Sequence, residues 1–168
     1  YKYSEIVTDS QIERLRNGEI DFAFTNAAVP FYPEFSRISL GRENFYAIYR
    51  EDTPVPWGDE AFLLPTHLHN LPVCGNDMHF RTFTQVCKEH KVKIKIQYLT
   101  NTANSCINLA NALPIIGVVA AMEEDPVPAN MIRKQIMDPK LNFEQTFYWN
   151  KNRQMSAAAI AFLKYFKS

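Results

Sequence analysis

The stretch Pro72–Leu99, PVCGNDMHFRTFTQVCKEHKVKIKIQYL, decides the fold class. Pro72-Val73-Cys74-Gly75 is a short apolar run of the kind a buried strand presents. From about His79 to Glu89 the apolar residues Phe80, Phe83 and Val86 recur at helical spacing, with Asp77 placed to cap the helix. Val92 to Leu99 then alternates apolar with polar residues, the period of a strand. Thr100-Asn101-Thr102 offers caps for a helix running to about Leu113, and Ile115 to Ala120 is a further buried strand. Strands alternating with helices predict an α/β fold with mainly parallel sheets.

Upstream, Tyr1 to Val7 alternates like a strand. Ser10 and Glu13 have capping-box spacing, Ile12 and Leu15 share a face, and Gly18 supplies a left-handed helix end. The run from Glu19 to Thr25 predicts a strand leaving through Asn26 into a proline-bearing loop. Strand, helix, strand is the parallel crossover unit. Phe35 to Leu40 and Asn44 to Arg50 predict two strands joined by a Gly-Arg turn, the second apolar enough to be buried on both faces. The stretch Glu51–Leu71, with Pro54, Pro56, Gly58 and Pro65, marks the boundary between lobes. Downstream, Met131 to Met137 and Gln145 to Trp149 predict strands, and Ala157 to Phe166 an amphipathic helix.

The chain has 168 residues, with 18 Lys+Arg against 18 Asp+Glu, so it carries no excess charge to seek phosphate backbones or anionic membranes. Its 46% hydrophobic and 21% charged residues are those of an ordinary globular protein. A chain this long buries roughly 70% of its unfolded surface, enough for one core or two small lobes. Cys74, Cys87 and Cys106 are too few and too scattered for a disulfide framework, which points to the cytoplasm. Leu113 to Met122 is about half the length that a membrane span requires, and no signal segment opens the chain.

The pairs Cys87/His90 and His67/His69 do not extend to a four-ligand zinc set, and neither CxxC nor HExxH occurs. Cys87 and Cys106 read as small core residues. GxSxG, GxGxxG and GxxxxGK[ST] are also missing, and Glu123-Glu124-Asp125 reads as a solvated helix end. No catalytic machinery, metal or cofactor is therefore expected.

What recurs is a polar cluster where a strand gives way to a helix: Thr25-Asn26, His79-Phe80-Arg81 and Thr100-Asn101-Thr102. Ligands of open parallel sheets bind at the carboxyl ends of strands, where helix N-termini favour anions. Arg81 would add a forked donor suited to a carboxylate or sulfonate. Each Thr or Asn alone is as well explained as a cap, and Thr102 above all.

Leu15–Phe24 (LRNGEIDFAF) resembles the "L..GeiDlai" stretch of the effector-binding domain of LysR-type transcriptional regulators, and Ser39–Ile48 (SLGRENFYAI) resembles its "pL..e.l.lv" segment. His69–Val73, with Arg81 at a common arginine position, resembles the entry to the second lobe. Asn108–Ala112 and Ile116–Val119 are similar to the "lV..G.Gia.lP" block, and Ala157–Phe166 to the closing helix. The likeness is collinear over essentially the whole chain. It departs at Leu113-Pro114, where the family usually has Gly-Leu, and at Met122, where it often has proline.

The resemblance implies two Rossmann-like α/β lobes joined by two crossover strands, as in type 2 periplasmic-binding proteins. Lobe I would comprise residues 1–51 and 139–168, and lobe II residues 52–138. One more strand and helix of lobe I, and a DNA-binding winged helix-turn-helix, would lie outside this chain. It further implies a small, anionic effector in the interlobe cleft, held by Thr25, Asn26, Arg81, Thr100 and Asn101, with walls from His79, Phe80 and Ile116. A homodimer or homotetramer would touch DNA only through the absent N-terminal domain. The alternatives are a solute-binding protein of an uptake system, which would carry a signal peptide, a two-lobed enzyme, which would need a convergent acid, base or nucleophile, and a structural dimerisation domain, whose cleft its own side chains would fill.

Overall fold

The computed structural model describes residues 8–25 and 32–167, so the strand expected at Tyr1 to Val7 and the site residue Asn26 lie outside the described residues. The chain forms two compact units, residues 1–41 with 144–168 and residues 42–143. Two strands, β2 (Phe35–Arg50) and β7 (Asn142–Asn150), each carry the chain from one unit into the other.

In the first unit, α1 (Thr8–Asn17) buries Ile12 and Leu15 against Ala23 of β1 (Phe22–Thr25), with Phe35 and Tyr148 completing the cluster. Ser10 is not the cap: the helix has already begun at Thr8, which puts Ser10 inside its first turn. Gly18 ends it at φ 73°, as the left-handed position requires. β1 pairs antiparallel with β7, Phe22 opposite Trp149 and Thr25 opposite Thr146. The closing helix is α4 (Ala157–Lys167).

The second unit holds β2 from Arg42 onward, β3 (Pro72–Asn76), α2 (Asp77–Glu89), β4 (Lys95–Thr100), α3 (Ala103–Ala112), β5 (Ile116–Ala121) and β6 (Met131–Gln135). The sheet order is β6-β2-β5-β3-β4. β3 is parallel to β4 and β5, whereas β2 is antiparallel to β5 and β6. The sheet is thus mixed rather than mainly parallel, because β2 runs opposite to the other four strands.

Alternate residues enter two separate cores, as the period of a strand demands. Phe45, Ala47 and Tyr49 of β2, Val73 of β3 and Val118 of β5 meet Phe80, Phe83, Val86 and Cys87 of α2. On the other face Tyr46, Ile48, Cys74 and Val119 meet Cys106 and Ala110 of α3. The passage Glu51–Leu71 contributes Trp57, Leu63 and Leu68 to the α2-side core, and the Trp57 indole donates to the Tyr49 hydroxyl at 2.9 Å.

The two strands expected at Phe35–Leu40 and Asn44–Arg50 are one, because Gly41 (φ 143°) continues the strand instead of turning it. β4 alternates in sequence but is exposed through Leu99, since among the described residues it pairs only with β3. Glu123-Glu124-Asp125 is a turn after β5, not a helix end. The Arg133 guanidinium fixes it by donating to the carbonyls of Met122, Glu123 and Asp125.

Gly75 has a packing role that can be tested. A Cβ added there would sit 2.0 Å from Cδ2 of Phe80, a ring that is itself buried in the core. Gly75→Ala is expected to destabilise the protein by about 1–3 kcal/mol in denaturant unfolding, through displacement of that ring.

Candidate functional site

β3 and β4 run parallel and end side by side, Asn76 opposite Thr100. The chain leaving β3 enters α2 on one face of the sheet, and the chain leaving β4 enters α3 on the other. Adjacent parallel strands whose helices diverge to opposite faces leave a crevice at their carboxyl ends, the switch point at which α/β sheets bind ligands.

Each helix is capped locally. The Asn76 side-chain oxygen accepts from the His79 N–H at 3.2 Å. The cap of α2 is therefore Asn76 rather than Asp77: its extended backbone (φ −94°, ψ 128°) is that of a cap, and Asp77 is already helical. At α3 the Thr102 hydroxyl oxygen accepts from the Ser105 N–H at 3.1 Å, so Thr102 is a cap. The Thr100 hydroxyl lies within donating distance of two carbonyls, Gly75 at 3.3 Å and Thr102 at 2.9 Å, and so stitches the ends of β3 and β4 together.

His79 is half-buried in the first turn of α2, its ring 5.8 Å from that of Phe143. Arg81 and Asn101 are exposed at the starts of α2 and α3. By chain position these three residues and Thr100 lie at or just beyond the carboxyl ends of β3 and β4. Phe80 and Ile116, expected as walls, are 3% and 1% exposed and belong to the core beneath α2. Thr25 is 5% exposed in the first unit, at the last position of β1. Asn76 is the residue that sequence reading missed; an Asn between a strand and a helical run was its signal.

The residues weighed as metal ligands have other partners. His67 Nδ1 accepts from Leu64 N–H at 2.9 Å and His69 Nδ1 from Lys93 N–H at 3.2 Å. His90 is 2.8 Å from an Asp138 carboxylate oxygen. Among the described residues no group of three His, Cys, Asp or Glu could hold a metal ion, and no helix is long and apolar enough to cross a membrane.

Over residues 4–168 the chain matches the family model described as LysR substrate binding domain. Among solved structures it is similar to CbnR, a LysR family transcriptional regulator, at 14% identity and a TM-score of 0.71, covering 98% of this chain and 57% of that one. It is similar to the C-terminal domain of a probable LysR family regulator from Rhodococcus sp. RHA1, at 17% identity and a TM-score of 0.73, over 98% of this chain and 82% of that one. The effector binding domain of QuiR in complex with shikimate aligns at 17% identity and a TM-score of 0.68, over 94% of this chain and 75% of that one. Likenesses at these identities show the fold, and the chain spans about 57% of the length of a full regulator such as CbnR. Among curated proteins nothing matches.

Burial holds the His79 imidazole below its ordinary value of 6.5, with the Glu43 carboxylate opposing. Below about pH 6.5 the unfolded chain therefore binds a proton that the folded protein resists. The His79 contribution to stability is complete above that pH and is lost as the pH falls from there through the lowered value of the folded protein. Denaturant unfolding at pH 7.5 and 5.5 is expected to show a larger acid loss for the native protein than for His79→Gln.

Proposed function

We propose, from the premise that this chain belongs to the LysR substrate binding domain family, that it is the ligand-sensing part of a bacterial transcriptional regulator. The observation that carries this reading is the placement at the strand ends: the carboxyl ends of β3 and β4 stand side by side, with Arg81 at the start of one diverging helix and Asn101 beside the other. The effector is a small anion, a carboxylate or an equivalent. The guanidinium of Arg81 supplies a forked donor and Asn101 an amide, while Thr100 holds the two strand ends together beneath them and the two helix N-termini add a partial positive charge. His79 shapes the wall. QuiR, a regulator domain of this fold, holds shikimate, which supports a small-molecule effector without identifying this one.

The mechanism is population shift. An effector that binds one arrangement of the two lobes better than another can move that equilibrium only by its difference in affinity. We take the compact unit of residues 1–41 with 144–168 as lobe I and that of residues 42–143 as lobe II, in place of the boundaries at 51 and 139 expected from sequence. DNA contact belongs to a winged helix-turn-helix outside this chain, carried on a homodimer or homotetramer in the cytoplasm, and a sensor with no net charge needs no field of its own for DNA. The domain is not an enzyme and takes no cofactor.

Calorimetric or thermal-shift titration with a panel of small carboxylates and phosphates is expected to yield at least one that binds the native protein. Arg81→Ala should weaken that ligand tenfold or more, about 1.4 kcal/mol, and change stability by less than about 0.5 kcal/mol because the side chain is exposed. Unchanged affinity in Arg81→Ala would overturn the assignment.

A further inference from the structure

Two sulfur atoms meet in the α3-side core of the second unit. Cys74 of β3 and Cys106 of α3 are both fully buried, with their sulfurs 3.2 Å apart. The Cys74 sulfur also lies 3.5 Å from the carbonyl oxygen of Cys106, so it is held against the backbone of α3 as well as its side chain. A disulfide requires the sulfurs to approach to about 2.05 Å, a movement of about 1 Å from where they stand. In compartments kept reducing, a pair that can bridge is more often transient and redox-sensing than structural.

We propose that Cys74 and Cys106 form a two-electron oxidation site that takes a hydroperoxide as its substrate and closes to a disulfide. The Cys74 sulfur attacks the distal oxygen of the hydroperoxide; the S–O bond forms, the O–O bond breaks, and the departing alkoxide or hydroxide takes the thiol proton. Cys106 then attacks the sulfenic sulfur. The S–S bond forms, the S–O bond breaks, and water leaves with the Cys106 proton. Two thiols are oxidised and one peroxide is reduced to an alcohol, or to water.

The first attack falls to Cys74. Either thiol can donate across the sulfur–sulfur contact; with Cys106 as donor the contact lowers the pKa of Cys74 and raises that of Cys106, and the thiolate is the nucleophile. Cys87 is the internal contrast: it lies in the other core, where burial pushes its thiol up to about 12, and no sulfur stands beside it among the described contacts. Access is through α3, because Cys106 is buried immediately after the exposed Ser105 near the helix start. Opening of that first turn admits the oxidant, so the reaction is slower than at an exposed thiol. The bridge would tie β3 to α3 just beneath the ends of β3 and β4. The proposal does not depend on the effector reading.

The test is oxidation of the folded protein with hydrogen peroxide, followed by acid quench, denaturation, alkylation and mass spectrometry. Trypsin cleaving after Arg81, Lys88 and Lys95 leaves the three cysteines in separate peptides. The expected result is a mass lower by about 2 Da, Cys74 and Cys106 peptides joined, Cys87 alkylated, and full reversal by dithiothreitol. Cys74→Ser should abolish the mass change, while Cys87→Ser should keep it; the mapping of the native protein decides the matter even if the first variant folds poorly. Alkylation of all three cysteines after peroxide, a bridge that includes Cys87, or oxidation of Cys74 to sulfinic acid without a bridge would each overturn the proposal.

Discussion

Phe80 of α2 rests over Gly75 on one face of the sheet, and Cys106 and Ala110 of α3 rest over Gly117 on the other. Gly75 lies opposite Val118 and Gly117 opposite Cys74, so the two seats are on adjacent strands and face opposite ways. A Cβ at Gly117 would lie 3.2 Å from the Ala110 Cβ and 3.3 Å from the Ile48 carbonyl oxygen, closer than side chains normally pack. Each helix can therefore approach its face only because the strand beneath it lacks a side chain at one point. This double seating divides the second unit into two cores, sends the connections after β3 and β4 to opposite sides, and opens the strand-end crevice between them. It also brings the Cys74 sulfur against α3.

The elements legible in the sequence were those whose physics is local and symmetric. β3 and β5 are apolar on both faces and short, which only a doubly covered strand tolerates, and α2 repeats its apolar residues at a single helical period. The misreadings came from residues whose meaning depends on distant partners. Gly41-Arg42 looks like a turn until a long strand is seen to run through it. β4 alternates as a half-buried strand does, but whether an alternating strand is covered depends on its neighbours, and among the described residues β4 has β3 alone. Parallel or antiparallel pairing is likewise a property of the assembled sheet.

The site was legible by residue type but not by direction. Thr100 ends β4, Asn101 follows it, and His79 and Arg81 lie in the first residues of α2, the helix that follows β3. Phe80 is adjacent to both His79 and Arg81 in sequence, yet its position on α2 turns it into the core, because successive helical residues point about 100° apart. Ile116, at the buried start of β5, faces the core for the same reason that a strand alternates. Asn76 and Asp77 are both good caps in sequence; only the backbone conformation at the strand end distinguishes them.

The capping pattern limits how the crevice can hold a ligand. The Asn76 and Thr102 side chains already occupy the His79 and Ser105 N–H groups, one in the first turn of each helix. A ligand that took these groups would displace caps worth about 1 kcal/mol each, and so would gain little from them. Arg81 and Asn101, by contrast, are exposed and take no part in either cap. The Thr100 hydroxyl lies within donating distance of the Gly75 and Thr102 carbonyls, so its one proton is already committed to the backbone at the strand ends.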